Sequence, residues 1–149
     1  MYSNTSGEGG YYFNHLFDKD TDFKLEFTYV EGHMFAPLIR ILTNNNLGYI
    51  HTLEYNFSDS TTSWTIYENN LQYKIYQVSK TLTDLGGSPP IANDIIKIIR
   101  QETLLKLYIN NIEIASTTVN IYDDFYLGFG CHKANNRYTI FRDWKIDLL

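Results

Sequence analysis

The chain holds one cysteine and three prolines in 149 residues, and basic side chains are in the minority. Each shortage excludes something. The lone Cys131 cannot close an internal disulfide, and no Cys/His cluster has the spacing of a zinc site. Cys131 lies in the apolar run FYLGFGC and reads as a small buried hydrophobe. Twelve Lys and Arg face seventeen Asp and Glu, a net charge of −5, with an isoelectric point of about 5.2. That balance argues against a nucleic-acid partner, whose phosphates need a basic face. No apolar run approaches the roughly 20 residues of a membrane-spanning helix, and no basic amphipathic helix is present, so no membrane insertion is expected. The opening MYSNTSGEGG lacks the basic start and apolar middle of a signal peptide. The expectation is an intracellular product or a segment of a longer chain. Residues 1–10, rich in Gly and Ser, read as a flexible linker or the start of an expressed segment. Residues 11–149 read as one domain.

What the chain does have is aromatic mass. It carries 13 Tyr and 9 Phe, and 44% of it is hydrophobic. Tyr and Phe suit pleated, half-buried surfaces, so the composition favours strands.

The stretch Ile95–Ser116, IIKIIRQETLLKLYINNIEIAS, shows the pattern best. Three apolar runs are split by Gln101-Glu102 and by Asn110-Asn111. Asn tolerates positive φ, so the Asn pair suits a two-residue hairpin turn. Ile112 and Ile114 alternate with Glu113, the period of a half-buried strand. Upstream, Tyr11–Phe17 can form a first strand, and FKLEFTYVE alternates too, with Phe23, Leu25, Phe27 and Tyr29 on one side. Pro37 sits near the start of APLIRILT, where a strand accepts it. GYIHTLEYNF, SWTIYE and LQYKIYQV follow as strands, with Asn69-Asn70 as a tight turn. TDLGGSPPIAND is irregular. FYLGFGCHK and RYTIFRDWKIDLL close the chain. Roughly ten or eleven short strands without a helical stripe predict an all-β, two-sheet antiparallel sandwich or jelly roll. The expected core includes Phe23, Leu25, Phe27, Leu105, Leu107, Ile109, Leu127, Phe129 and Ile146, with Trp144 beside them.

Three segments carry a family likeness. LKLYINNIEIAS resembles the strand, tight turn, strand pattern "k-l-y-v-n-g-k-e-v-a", with Asn111 at the usual turn glycine. FYLGFGCHK is similar to "y-i-G-f-g", with Gly128 and Gly130 where backbones crowd. FRDWKIDLL is similar to the closing strand "f-d-n-f-k-i", and DTDFKLEFTY to the early strand that pairs with it. The likeness is to the concanavalin A-like lectin/glucanase superfamily, in its laminin-G-like and carbohydrate-binding-module branches. It implies a concanavalin A-like jelly roll that binds glycans, acts as a glycosidase, or serves as an attachment domain in cell-surface proteins and phage fibres. The expected partner is accordingly a glycan or cell-surface polysaccharide.

The glycosidase branch carries E-x-D-x-x-E on one strand, and this sequence has no such motif. Glu26 and Glu31 share a strand, and their odd spacing predicts opposite faces. Glu54 and Glu68 are not tied together by spacing. Hydrolysis is therefore not expected, because it needs two facing carboxylates. His15, His33, His51 and His132 form no nucleophile–base spacing, and GEGG at 7–10 lacks the Lys-Ser/Thr and helix of a phosphate loop.

Asp18, Asp20 and Asp22 place oxygen donors at alternate positions, as a calcium loop does. Phe23 and Tyr29 stand where an EF-hand needs Gly and Glu, so the choice is between a rim calcium site and a plain acidic turn. Asp123-Asp124 is a weaker candidate. Sugars offer apolar C–H faces to aromatic rings and hydroxyls to polar side chains. Tyr49, His51, Trp64, Tyr67 and Tyr73 can supply such a shelf, the alternative being core or sheet-surface aromatics. By parity Tyr73 and Tyr76 fall on opposite faces. The loop around His132, Lys133, Asn135, Asn136 and Arg137 is either a rim site or an ordinary hairpin turn. A homo-oligomer built on exposed strand edges is the other partner class.

Overall fold

The structure, a computed structural model, describes residues 2–3, 8–32, 35–43, 50–56, 61–68, 71–79, 91–132 and 139–149. Alternation builds its five-stranded sheet. β3 (Phe23–Gly32), β8 (Ile95–Gln101) and β9 (Leu104–Ile109) each bury every second residue, as period-2 side-chain direction requires. Phe23, Leu25, Phe27, Ile96 and Ile98 are all fully buried. β10 (Ile112–Thr118) and β12 (Thr139–Leu148) complete this sheet, in the order β10-β9-β8-β3-β12.

The turn between β9 and β10 is the two-residue hairpin that Asn110-Asn111 encodes. Both residues have positive φ, 50° and 66°, the left-handed pair of a twist-matched turn. Asn110 is fastened twice to Ile95: its N–H donates to Ile95 O at 2.9 Å, and its Oδ1 accepts from Ile95 N at 3.0 Å. Glu102 turns β8 into β9 with φ 54°.

The seven-stranded sheet runs β1-β2-β11-β4-β5-β6-β7. Its members are β1 (Tyr2–Ser3), β2 (Glu8–Tyr12), β4 (Phe35–Thr43), β5 (Ile50–Asn56), β6 (Thr61–Glu68), β7 (Leu71–Ser79) and β11 (Phe125–His132). All pairings are antiparallel. Ile41, Leu53, Phe125 and Leu127 of this sheet and the apolar rows of β3, β8 and β9 form one core. The described residues contain no helix. An all-β, two-sheet antiparallel jelly roll is what alternation predicted.

The expected core is present. Phe23, Leu25, Phe27, Leu105, Leu107, Ile109 and Leu127 are buried, and Phe129, Trp144 and Ile146 pack against them half-buried. Phe27 anchors an aromatic group, with Phe141 at 4.6 Å edge-on and Trp144 at 4.3 Å. β-Bulges decide that arrangement. Arg142 pairs with Thr28 and Lys145 with Glu26, so β12 carries an extra residue there. Asp143 takes it up at φ 56°. Phe141 and Trp144 thereby reach the same ring although their spacing is odd.

Two sequence expectations change. Residues 2–3 and 8–10, within the stretch read as a linker, are strand, and Gly9 and Gly10 pair with both β1 and β11. The first strand, expected over Tyr11–Phe17, ends at Tyr12, and Phe17 then makes an isolated bridge to Phe125. A further point concerns Glu26 and Glu31. β3 is bulged where Ile140 and Phe141 pair with Glu31 and Tyr29. That extra residue returns Glu31 to the face of Glu26, against the parity reading. About five residues of strand separate the two backbones by roughly 15 Å.

Candidate functional site

The sequence-expected shelf maps onto β5, β6 and β7, three neighbouring strands of the larger sheet. Register sets two rows across them. His51, Ile66 and Tyr73 form one, and Leu53, Trp64 and Tyr76 form the next. Leu53, at one end of the second row, is a core residue, and rows two residues apart along a strand share a face, so register sets the shelf on the core side of the sheet and not on an open face. Tyr67 is in register with Ile50 and Gln72, outside these two rows. Tyr73 is half exposed, while Tyr76 packs on the core.

Parity placed Tyr73 and Tyr76 on opposite faces; the structure does not. Trp64 pairs with Tyr76 and Thr65 with Lys74, so Ile75 is the extra residue of a bulge. Tyr73 and Tyr76 therefore meet Ile66 and Trp64, which alternate on one side of β6. Tyr49, Asn135, Asn136 and Arg137 lie outside the described residues, as do His33 and Asn69-Asn70. His132 ends β11 opposite Glu8, away from the shelf strands. Glu54 sits in register between Pro37 and Ser63, and Glu68 opposite Leu71 at the far end of β6.

The Asp18–Asp22 loop is held by its own carboxylates. Asp18 Oδ1 accepts from Asp20 N at 2.9 Å. Asp20 pairs with Lys19 Nζ at 2.6 Å. Asp22 Oδ1 accepts from Glu102 N at 2.6 Å. Asp124 Oδ1, from the second acidic pair, accepts from Lys19 N at 3.1 Å. Asp20 raises the Lys19 ammonium pKa, first through that hydrogen bond and then by its charge. These bonds describe an acidic turn clasped to its neighbours. Among the described residues no three His, Cys, Asp or Glu side chains gather as a metal site would require, so the calcium reading of Asp18, Asp20 and Asp22 finds no such cage there.

Sequence reasoning passed over Arg100. It continues the inward row Ile96, Ile98, and it is only 5% exposed. The signal was present, since a basic residue at a core parity is out of pattern.

The sequence matches no protein-family model and no curated protein. Solved structures do match in shape. The carbohydrate binding module CBM66 from Bacillus subtilis superposes with a TM-score of 0.63 at 11% identity, over 97% of this chain and 84% of that one. A glycoside hydrolase family 16 endo-glucanase from Bacteroides ovatus gives 0.61 at 11% identity, over 95% and 74%. Chicken Galectin 2 gives 0.59 at 10% identity, over 94% and 97%. The fold is thus the concanavalin A-like, two-sheet jelly roll that these solved structures share.

Proposed function

We propose that this domain is a non-catalytic carbohydrate-binding, lectin-like module of a larger surface or phage-fibre protein, working in adhesion at a cell surface or on a virion. The carrying observation is the two-sheet fold, which it shares with a carbohydrate binding module and a galectin. The aromatic and polar rows on β5–β7 supply the chemistry. Tyr73, the exposed ring of the shelf, would stack with Tyr49 on sugar C–H faces, and His51 would hydrogen-bond hydroxyls. The same fold houses a glucanase, but E-x-D-x-x-E is missing from this sequence.

The test is a broad glycan array, read with calcium and with chelator, on the wild type and on Tyr73→Ala and Tyr49→Ala. The variants should bind more weakly while melting normally. If neither loses binding, the shelf is misplaced. Turnover of a β-glucan that Glu54→Gln abolishes would replace the reading with hydrolysis.

A second reading has its own observation. β7 is an edge strand of the larger sheet, and it exposes Tyr73 by 50% and Ile75 by 47%. Such an edge can pair with another chain, which makes the domain an oligomerisation module. Light scattering at two concentrations separates the two: a stable oligomer favours this reading, and a strict monomer favours the binding module.

A further inference from the structure

At one end of the sandwich three connections meet: the 18–22 loop, the Glu102-Thr103 turn and the segment 119–124. Between them lies a cleft of about 520 Å³ whose wall includes Arg100, Asp22, Asn120 and Tyr122. That volume falls within the roughly 300–1,000 Å³ of small-ligand sites.

Arg100 makes this more than a gap between loops. It is about nineteen-twentieths buried, at 5% exposure. Nη1 donates to Thr21 O at 2.8 Å, and the guanidinium lies 5.6 Å from the Phe125 ring centroid. Its Nε is buried and has no hydrogen-bond partner among the described residues. Burial pulls the Arg100 pKa below its ordinary value, opposed by the charges of Asp22 and then Asp20. A buried donor left unmade costs about 1–3 kcal/mol, so such groups in native folds have a reason. Arg100 also lines the cleft, so a hydroxyl oxygen seated there would lie against this residue, while the Nε itself stays closed off behind it.

The other walls define what carries that oxygen. Tyr122 is 77% exposed, a ring presented to solvent beside the buried Ile121. Asn120 is exposed and can both donate and accept. Lys19 and Arg100 face the carboxylates of Asp20, Asp22 and Glu102, so the lining sums to −1. A phosphate, sulfate or uronate would meet that excess of carboxylates. An uncharged polyol would find donors, acceptors and an apolar ring together.

We propose that this end cleft is a sugar-binding site, separate from the β5–β7 shelf, that takes an uncharged sugar unit with its C–H face on Tyr122 and its hydroxyls toward Arg100 and Asn120. The ligand class rests on the carbohydrate reading above; the location does not. The test titrates glucose, galactose, mannose and fructose in one arm, neutral oligosaccharides of each in a second, and sulfated and uronic oligosaccharides in a third. It follows affinity and the Arg100 Nε–H resonance. Tyr122→Ala and Asn120→Ala should each weaken binding about tenfold, roughly 1.4 kcal/mol, with unchanged melting, and the Arg100 Nε–H should shift on binding. Response to free sugars marks a site for a lone unit, and response to oligosaccharides alone a site for a chain end or interior; either supports the cleft. Binding that survives both substitutions and leaves the Arg100 resonance still, but falls with Tyr73→Ala, overturns the cleft and keeps the carbohydrate reading. Preference for sulfated or uronic oligosaccharides overturns the ligand class. No binding of any sugar overturns both.

Discussion

Glu102 N donates to Asp22 Oδ1 at 2.6 Å, joining the loop before β3 to the turn between β8 and β9 across eighty residues of sequence. Glu102 makes that bond from the left-handed region, at φ 54°. Asp22→Ala should therefore lower stability by about 1 kcal/mol, the usual worth of one such bond, or roughly 2–4 °C in Tm at this chain length. Asp22→Asn keeps the acceptor and should lose less. Glu102→Gly should melt no lower than the wild type, because glycine accepts this φ freely, and Glu102→Val should melt lower. Thermal melts of the four variants check this.

The Asn110-Asn111 hairpin separates two roles that the sequence gives to one residue type. Asn110 uses its side chain on Ile95 N, whereas Asn111 receives Lys97 Nζ at 2.5 Å on the exposed face. Asn110→Gly should destabilise by about 1 kcal/mol through the lost bond. Asn111→Gly should be neutral or stabilising, since Asn-Gly is the favoured pair for this turn. Urea midpoints at unchanged slope would show the contrast.

Much of this architecture was legible in the sequence, and its failures share a cause. Alternation over Phe23–Tyr29 and Leu104–Ile109 gives face and burial directly, because a strand's period is a local property. The pairing of β3 with the closing strand was legible through the family likeness. The bulges at Ile75, at Asp143 and between Tyr29 and Glu31 were not. Each depends on how a partner strand accepts one extra residue, and each reverses parity beyond it. That is why Tyr73 and Tyr76, and Glu26 and Glu31, share faces against expectation. Strand formation by Gly9 and Gly10 was hidden for a related reason: glycine has little strand preference of its own, and pairing with β11 supplies the order. Arg100 was hidden by its type, since a basic residue reads as surface until the row of Ile96 and Ile98 is extended to it.

Phe27 has a buried ring in contact with Phe141 and Trp144. Phe27→Ala should cost about 3–5 kcal/mol, the range for emptying a core aromatic site. Phe27→Leu should cost less. Chemical denaturation measures both, and equal costs would show that the aromatic group is not a packed unit.

Asp147 bonds Lys24 at 2.7 Å and Lys145 at 3.2 Å, clasping β12 to β3. The hydrogen bond from Lys24, then that from Lys145, holds the Asp147 carboxyl below its ordinary value of 3.8. A depressed carboxylate stabilises above its unfolded value and loses that contribution as pH falls through the folded one. Asp147→Asn should thus melt below the wild type at pH 7, with the gap closing as pH drops below 3.8. A gap that persists at low pH would mean that charge is not the cause.

The central claim is that this jelly roll binds carbohydrate without turning it over. The most direct measurement is the glycan array, read once with calcium and once with chelator, followed by product analysis on every hit. The account predicts binding to neutral glycans with no cleavage and no loss on chelation. Cleavage of a bound glycan, or an array without a single hit, would contradict it.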